Sequence, residues 1–435
     1  MNMHTGRNDD LRRSRTRTKI QLLPDASDDS TGFNVHVNFE GFSQVDDVFC
    51  RSQYDPEVKS SGSERFYDMY RKPLADWRGT DGYQQHDYAF RNATWHVADI
   101  FAELREEDDR RDGFLDPLSL LKDGPEERIA FGSVEETTRI VKQAAKTVGA
   151  DLVGVADTDK RWSYTELFSM HAKGPKPNNI DDGLAHVIVI GQSMDNKLLD
   201  TAPSALSGAA TGMGYSQDAL VLLTLSQFIQ NLGYRAVPSM NDSALAIPYA
   251  VQAGLGEYAK HGLVITPEFG SSVRFGKIFT DMPLEADKPV RFGVKEMCEL
   301  CNACSKACPS KAIPDAEPSP VTFNRSNVSG VTKWTIDGEA CFSYWAKINT
   351  DCAVCIRVCP FTRDYTRFWN RAWLRLAGSR LRKFALRLDH KSARGKRVKT
   401  LLWWFPQSKT KRVVSVQEEY SQSLFRCKKY MLSHL

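Results

Sequence analysis

The chain of 435 residues is long enough for a large hydrophobic core and more than one domain. It has the composition of an ordinary globular protein, and no stretch approaches the roughly 18 apolar residues that a membrane-spanning helix needs. The net charge of +4 is unevenly distributed, because residues 361–435 contain 19 Lys and Arg against 4 Asp and Glu. A basic C-terminal region therefore follows an acidic body.

The N-terminal residues lack the pattern of an export signal. Arg12 and Arg13 are followed by polar and basic residues up to Lys19, whereas a secretory or twin-arginine signal has an apolar region of at least about seven residues. We therefore expect a cytoplasmic protein, in which ten cysteines favour metal ligation over disulfides. Residues 1–63 are polar, and we expect this region to be partly disordered.

The predicted secondary structure becomes regular only after residue 130. Residues 64–130 are rich in aromatic side chains, and we expect a lid or core layer of irregular segments there. A helix is predicted from the capping box Ser133-x-x-Glu136 to Gly149. Apolar runs then predict strands at 152–156 and 186–190 and helices at 216–232 and 246–253. Helices alternating with buried strands favour an α/β (α+β) core.

Eight of the ten cysteines fall into two motifs. Both motifs end in Cys-Pro, and their cysteines are Cys298, Cys301, Cys304 and Cys308, then Cys341, Cys352, Cys355 and Cys359. A four-iron, four-sulfur cluster needs four converging thiolates, and two-residue spacings let one tight loop supply three of them. This pattern predicts two [4Fe–4S] clusters.

The ligand sets follow from the cysteine before each proline, which binds the other cluster in two-cluster ferredoxins. We assign Cys298, Cys301, Cys304 and Cys359 to cluster 1, and Cys308, Cys341, Cys352 and Cys355 to cluster 2. Structural zinc and a single cluster are the alternatives, but zinc sites rarely use this spacing and do not need the crossover. We interpret Cys50 and Cys427, which stand alone, as ordinary free thiols.

More than 290 residues precede the first cysteine motif, so the chain contains more than a ferredoxin. Two organisations remain open. The first is an electron-transfer module attached to a partner-binding domain. The second is an enzyme that consumes the electrons.

Several collinear segments carry a resemblance to one enzyme family. They are residues 214–216, 232–236, 240–245, 254–270, 272–289 and 341–345, which read GYS, LGYRA, MNDSAL, GLGEYAKHGLVITPEFG, SVRFGKIFTDMPLEADKP and CFSYW. Over about residues 130–365 the chain resembles the cobalamin-dependent reductive dehalogenases, of the cytoplasmic type without a twin-arginine signal. No single one of the segments without cysteine would be specific.

The resemblance implies a domain organisation. Residues 64–290 would form a corrinoid- and substrate-binding core of the nitroreductase-like type. Residues 291–365 would form a ferredoxin-like domain with the two clusters, and residues 366–435 a basic tail that packs back on the body.

The family binds cobalamin with its lower base detached and needs no histidine ligand. The resemblance places six residues near this cofactor: Gly254, Gly256, Gly262, Glu268, Phe269 and Gly270. Glycines would let the backbone approach the flat macrocycle closely. The alternative is that they are turn and cap glycines.

The implied reaction removes halide from an organohalide, and it needs two electrons and a proton. Tyr215 matches the proton-donating tyrosine of the family, while Arg274 and Lys277 occupy positions where members place a cation. A cation near a phenol stabilises its anion and makes the phenol a usable acid. The alternatives are a core tyrosine and two surface charges. The sequence does not define the substrate, although a halophenol is a reasonable first hypothesis.

Some family members have a fused reductase domain, which is not found in this sequence. We therefore expect a separate electron donor, such as a ferredoxin, a flavodoxin or a reductase. For the basic tail we favour packing on the body, and an acidic donor, peripheral contact with a membrane or nucleic acid would use the same charges. Nucleic acid is not the expected partner.

The main rival family is that of the epoxyqueuosine reductases, which act on a modified base in transfer RNA. They have a similar arrangement of clusters, and Asn241-Asp242-Ser243 loosely resembles the region of their catalytic aspartate. Residues 268–270 and 280–284 resemble the dehalogenases instead. A non-catalytic electron-transfer protein with two clusters is the remaining alternative.

Overall fold

The computed structural model describes residues 20–71, 79–103, 120–129, 131–178, 180–392 and 394–405. Predictions for residues outside these ranges, including most of residues 1–30 and the free thiol of Cys427, lie outside the described residues. Within the described residues, no helix is both long enough and apolar enough to cross a membrane.

The described residues form twelve strands and fifteen helices, apart from two 3₁₀ turns. The strands are β1 (Gln21–Leu22), β2 (Asn34–Val35), β3 (Leu152–Asp157), β4 (Leu167–Ser169), β5 (Gly174–Lys176), β6 (His186–Ser193), β7 (Ala236–Ser239), β8 (Glu257–Tyr258), β9 (Val264–Ile265), β10 (Val273–Thr280), β11 (Val290–Arg291) and β12 (Val331–Thr332). The first eight helices in chain order are α1 (Asp28–Thr31), α2 (Val48–Tyr54), α3 (Ser61–Arg71), α4 (Gln85–Glu103), α5 (Val134–Thr147), α6 (Asn196–Leu199), α7 (Ala205–Asn231) and α8 (Ala246–Gln252). The remaining helices are α9 (Val294–Leu300), α10 (Ala303–Ala307), α11 (Gly338–Ile348), α12 (Val354–Val358), α13 (Phe368–Ala377), α14 (Arg382–His390) and α15 (Thr400–Trp404).

The core is a four-stranded antiparallel sheet in the order β3-β6-β10-β7. Val187, Ile188, Val189 and Ile190 of β6 are all fully buried, because helices cover both faces of the sheet. Alternate residues of β6 pack with α5 and α7 on one face and with α8 on the other. The mixed α/β core predicted from the sequence is confirmed.

Helix α7 begins at Ala205, eleven residues before the helix predicted from Ser216. The Ser204 side chain caps it by accepting a hydrogen bond from the Ser207 amide. Its first turns contain Gly208, Gly212 and Gly214. Because glycine has a low helix propensity, the sequence does not predict this part of the helix. Tertiary packing overrides that propensity, since the N-terminal half of α7 is almost entirely buried.

The aromatic region is also more regular than the sequence suggested. Residues 85–103 form α4, a helix of 19 residues that lies along α7, so the prediction of irregular segments there is wrong. Arg91 of α4 is fully buried, and its guanidinium donates to the carbonyl oxygens of Asn349 (2.9 Å) and Met69 (3.0 Å). This side chain therefore connects α3 and α4 to the segment that leads into the second cysteine motif.

The other helices connect the two ends of the chain to the cysteine region. Residues 20–63, predicted to be polar and partly disordered, contain β1, β2, α1 and α2, and β1 pairs with β11 just before the first cysteine motif. Trp373 and Leu374 of α13 and Leu386 of α14 pack in one core with the cysteine motif. Residues 366–405 of the basic tail thus include a segment packed on the body.

Candidate active site and cysteine centres

Tyr215 lies in α7 at the centre of a three-layer stack. Its ring is buried and stacks on Trp95 of α4, with 5.0 Å between ring centroids. On the other side, the guanidinium carbon of Arg274 in β10 is 4.3 Å from the centroid of the phenol ring. Two glycines make room for these neighbours: a Cβ at Gly212 would meet Trp95 at 2.4 Å, and one at Gly214 would meet Arg274 at 2.7 Å. The glycines that weaken α7 as a helix therefore build the site.

Two donors converge on the phenol oxygen. The Asn241 amide donates to Oη over 2.7 Å, and Arg274 also hydrogen-bonds to it. Burial raises the pKa of Tyr215 above its ordinary value, although Arg274 and Asn241 oppose that shift by stabilising the anion. The phenol therefore keeps its proton at neutral pH in a setting where its anion would be stabilised.

The structure separates the roles of the two predicted cations. Arg274 and Lys277 are three residues apart in β10, so strand alternation puts them on opposite faces of the sheet. Lys277 is fully buried, and its ammonium donates to the backbone carbonyl of Met240 just past the end of β7. Burial lowers the pKa of Lys277 to about 8, while Asp242 and Asp218 act in the opposite direction. Arg274 is thus the predicted cation that contacts Tyr215.

Asp218 also belongs to this site, although the sequence did not predict it. It lies one helical turn after Tyr215 and is fully buried, and neither carboxylate oxygen has a hydrogen-bond partner among the described residues. Burial raises its pKa to about 8, and Arg274 and Lys277 moderate the shift. A single acidic residue inside an otherwise apolar helix was the signal available in the sequence.

In the sequence, Asn241 and Asp242 show only a weak resemblance to the rival family. The structure places them in the loop after β7, where Asn241 contacts Tyr215 and Asp242 is fully buried. The Asp242 carboxylate accepts from the Met240 amide (2.8 Å) and from the Ser243 hydroxyl. Burial raises the pKa of Asp242, and its hydrogen bond from Ser243 and the charge of Lys277 oppose this.

Two further buried polar groups near the site have no protein partner in the described part of the chain. The Gln192 amide nitrogen lies opposite Arg274 in β6, on the same face of the sheet as Arg274, and the Ser239 hydroxyl lies opposite Lys277 in β7, on the other face. Buried polar groups are usually hydrogen-bonded, so such groups fit a region where a polar molecule binds. Together with Asp218, they are the structural observation that is compatible with a large polar cofactor here.

The four glycines predicted to approach a macrocycle pack closely against the protein's own chain. A Cβ would meet a backbone carbonyl of Lys288 at Gly254, of Ile265 at Gly256 and of Phe361 at Gly270, in each case within 2.4 Å. At Gly262 a Cβ would meet the side chain of Ile336 at 2.6 Å.

Three of these glycines, Gly254, Gly262 and Gly270, also have a positive φ, which suits turns and helix ends. Glu268 and Phe269 lie in the short loop that Thr266 and Gly270 close. Their predicted role in cofactor binding stays a prediction.

The structure brings together the thiols predicted for cluster 1. Burial, together with smaller contributions from Cys304 and Cys301, raises the pKa of Cys298 to about 12. The Cys359 thiol is fully desolvated and interacts with Cys298, Cys304 and Cys301, so it lies with the first motif and not with its own. Among the described residues no three or more His, Cys, Asp or Glu could hold a single metal ion.

The thiols predicted for cluster 2 form the complementary set. Burial raises the pKa of Cys341 to about 12, with further contributions from Cys352 and Cys308. Cys355 interacts with Cys352 and Cys341 and, more weakly, with Cys304 and Cys308. Cys308 thus faces the second motif and Cys359 the first, an arrangement that is compatible with the predicted crossover. Four largely desolvated thiols held close together are a donor set that suits an iron–sulfur cluster.

The two sets have different neighbours. Cys355 packs with Ala209 and Ala210 of α7, and Thr211 of α7 donates to the carboxylate of Asp351 over 2.7 Å, directly before Cys352. The cluster 2 thiols therefore lie against the helix that carries Tyr215. The cluster 1 thiols Cys298, Cys301 and Cys359 instead share a core with α13 and α14.

Two family models match the chain. Residues 181–284 match a model described as a reductive dehalogenase subunit, and residues 297–362 match one described as a 4Fe-4S dicluster domain. The predicted iron–sulfur domain is thus confirmed, and the predicted similarity to reductive dehalogenases is confirmed as well.

Individual proteins agree with these matches. A tetrachloroethene reductive dehalogenase of Sulfurospirillum multivorans is 41% identical over 52% of this chain and 50% of its own length. A solved reductive dehalogenase, whose structure is said to suggest a mechanism for B12-dependent dehalogenation, has a TM-score of 0.66 at 18% identity. The matched region covers 88% of this chain and 49% of the solved chain, so the two share a fold.

The second predicted resemblance is also found, at greater distance. An epoxyqueuosine reductase of Salmonella typhimurium is 28% identical over 47% of this chain and 54% of its own length. The chain thus spans about half the length of the relatives it matches.

The crossover between the cysteine sets can be tested by substitution. Cys359→Ser and Cys304→Ser should remove the same cluster signal from the electron paramagnetic resonance spectrum of reduced protein, and Cys308→Ser should remove the other, because a cluster needs all four thiolates. Cys50→Ser is the matched control, since Cys50 is buried but belongs to neither set. Loss of the same signal from Cys359→Ser and Cys308→Ser would rule out the crossover.

Asp218 gives a prediction for the pH dependence of stability. Its carboxyl ionises near 3.8 in the unfolded chain and near 8 in the folded protein, so the contribution to stability falls as pH rises between these values. Asp218→Asn, which cannot titrate, should therefore gain in melting temperature relative to the parent as pH rises from 4 to 8. The exposed Asp182→Asn is the control and should show a constant offset. The same constant offset for Asp218→Asn would contradict the assignment.

Proposed function

We propose that this chain is a reductive dehalogenase that replaces a halogen of an organohalide by hydrogen, using cobalamin and two [4Fe–4S] clusters. The observation that carries the proposal is the hydrogen-bonded phenol of Tyr215, held between Trp95 and Arg274 beside a region of unpaired buried polar groups. The similarity to tetrachloroethene and B12-dependent dehalogenases supports it.

The overall reaction takes two electrons and one proton and releases halide: R–X + 2 e⁻ + H⁺ → R–H + X⁻. When bound, cobalamin would supply a low-valent metal for the chemistry at the carbon–halogen bond, and the clusters would supply the electrons. The remaining requirements fall on the side chains described above. They must deliver a proton, stabilise the anion that is left and exclude water.

Tyr215 is the proposed proton donor. Asn241 and Arg274 both donate hydrogen bonds to its oxygen, so the hydroxyl proton points away from them. They also stabilise the phenolate that remains after proton transfer. Trp95 covers the opposite face of the ring and keeps water from it. Arg274 therefore acts on the acid directly, and Lys277 supports the loop after β7 through Met240.

Cofactor contacts are proposed for the six residues near positions 254–270. Four glycines already lie against the protein's own chain, so their part would be to hold the loops closely packed around the cofactor. Glu268 and Phe269 lie between two of these close contacts and would provide the side-chain surface toward it.

Electrons would pass from cluster 1 to cluster 2 and then to the site at α7. The support is the packing of the Cys355 and Cys352 region against α7, while the cluster 1 thiols lie away from it beside α13. A separate ferredoxin, flavodoxin or reductase would supply the electrons.

The substrate is proposed to be a small organohalide. The name of the relative at 41% identity favours chlorinated ethenes for the first assays. A halophenol, the hypothesis from the sequence, belongs in the same panel.

The second candidate is a tRNA-modifying reductase of the epoxyqueuosine type, favoured by the buried Asp242 in the loop of the rival resemblance. It would bind transfer RNA in a salt-dependent manner. A non-catalytic electron-transfer protein would contain iron and sulfide but no cobalt.

The cofactor content of anaerobically purified protein tests the proposal first. We expect about eight iron, eight sulfide and, after reconstitution with cobalamin, about one cobalt per chain. Turnover of an organohalide with reduced methyl viologen completes the test. Full iron content without cobalt after reconstitution would leave only an electron carrier.

Tyr215→Phe tests the proton donor. It keeps the ring stack but removes the proton, so dehalogenation should fall by about 10²-fold or more, with cluster and cobalamin content unchanged. Tyr234→Phe is the matched control, because Tyr234 is buried in the same core and its ring is covered by Arg128. Equal turnover of the two variants would show that Tyr215 is not the acid.

A further inference from the structure

Helices α13 and α14 present large apolar side chains to solvent. Five of them, between 45% and 79% exposed, are Phe368, Trp369, Leu381, Phe384 and Leu388, which we call the apolar face. Isolated exposed hydrophobic residues are common, but several on two adjacent helices mark an interaction surface. Nothing in the proposed reaction uses them.

The opposite side of the same two helices packs against cluster 1. Trp373 and Leu374 of α13 and Leu386 of α14 lie in one core with the thiols of Cys298 and Cys359. The apolar face is thus separated from the first cysteine set by a single layer of helix. An electron that enters here meets cluster 1 before any other centre.

One buried side chain fixes this layer to the cluster loop. The Arg363 guanidinium lies 3.7 Å from the ring centroid of Trp373, pairs with Asp389 of α14 and donates to the carbonyl of Pro360 (2.6 Å). Pro360 directly follows the ligand Cys359. The apolar face therefore keeps a fixed position relative to cluster 1, as rapid electron transfer requires.

The surroundings of the apolar face are strongly basic. Residues 367–391 contain eight Lys and Arg and a single acidic residue, Asp389, which is buried against Arg363. Arg375, Arg380, Lys383 and Arg387 are exposed. An apolar centre rich in aromatic residues with a charged rim is the usual anatomy of a transient protein interface.

We propose that the apolar face is the docking site of a small acidic electron-transfer protein, which reduces cluster 1 from there. The inference rests on the proposed function in that it names the electron donor's surface. The basic rim would attract an acidic partner and orient it, and Trp369 and Phe384 would provide the desolvated contact.

The test measures cluster reduction alone, so it does not depend on dehalogenation. Holoprotein is mixed in a stopped-flow instrument with a pre-reduced acidic ferredoxin or, separately, flavodoxin, and bleaching of the iron–sulfur absorbance gives the second-order rate constant. The variants are Trp369→Ser and the triple charge reversal Arg380→Glu, Lys383→Glu and Arg387→Glu. Arg139→Glu, an exposed cation on α5, is the matched control.

We expect the charge reversal to slow reduction by about tenfold or more at low ionic strength, and this difference to shrink as salt is added. Trp369→Ser should slow it at every salt concentration. Reduced methyl viologen needs no docking, so it should reduce all variants equally, which also shows that the clusters are intact.

Three outcomes would overturn the proposal. The first is an unchanged rate in both variants with both donors. The second is an unchanged rate together with loss of binding to vesicles of anionic phospholipid, which would make the face a membrane contact. The third is a change of sedimentation coefficient with unchanged rates, which would assign the face to a second copy of the chain. If the donor reduces the clusters of this protein at the expected rate but the protein acts on no organohalide, the proposed function is refuted and this inference is still supported.

Discussion

The close approach of α7 to α4 and β10 is the constraint on which the rest of the structure depends. Each contact requires a glycine, since a Cβ at Gly208, Gly212 or Gly214 would overlap Asp351, Trp95 or Arg274 respectively. Glycine inside a helix costs up to about 1 kcal/mol relative to alanine. The burial of nearly the whole N-terminal half of α7 offsets that cost. The helix thus gives up intrinsic stability to bring three distant parts of the chain around one phenol.

The same helix joins the phenol to the iron–sulfur domain. Thr211 is hydrogen-bonded to Asp351 beside the second cysteine motif, one turn before Tyr215. Arg91 of α4 bonds to the carbonyl of Asn349 in the same segment. The two helices that hold the site therefore also hold cluster 2 against it. This arrangement suits a protein that must deliver electrons and a proton to one place.

Charged groups cluster around this end of the sheet, on both of its faces. Arg274, Lys277, Asp218 and Asp242 are brought together at the ends of β7 and β10 and the middle of α7. Buried charges are costly unless they compensate one another, and the opposite pKa shifts of Asp218 and Lys277 show that compensation is incomplete in the protein alone. Such groups are more typical of functional sites than of packing.

The sequence by itself determined what depends on local spacing. The cysteine motifs identified the iron–sulfur domain and predict a crossover of ligands, because tight loops can supply thiolates in only a few ways. The apolar runs at 152–156 and 186–190 predicted the strands that the structure has at 152–157 and 186–193, and the family resemblance pointed to Tyr215. Only the tertiary structure decided which side chains surround that phenol. Trp95, Asn241 and Arg274 are far apart in the chain, and strand alternation makes Arg274 the partner while Lys277 faces away. The beginning of α7 and the regular helix α4 also followed from packing, since glycines and scattered aromatics give no helical signal until a neighbouring helix fills the space beside them.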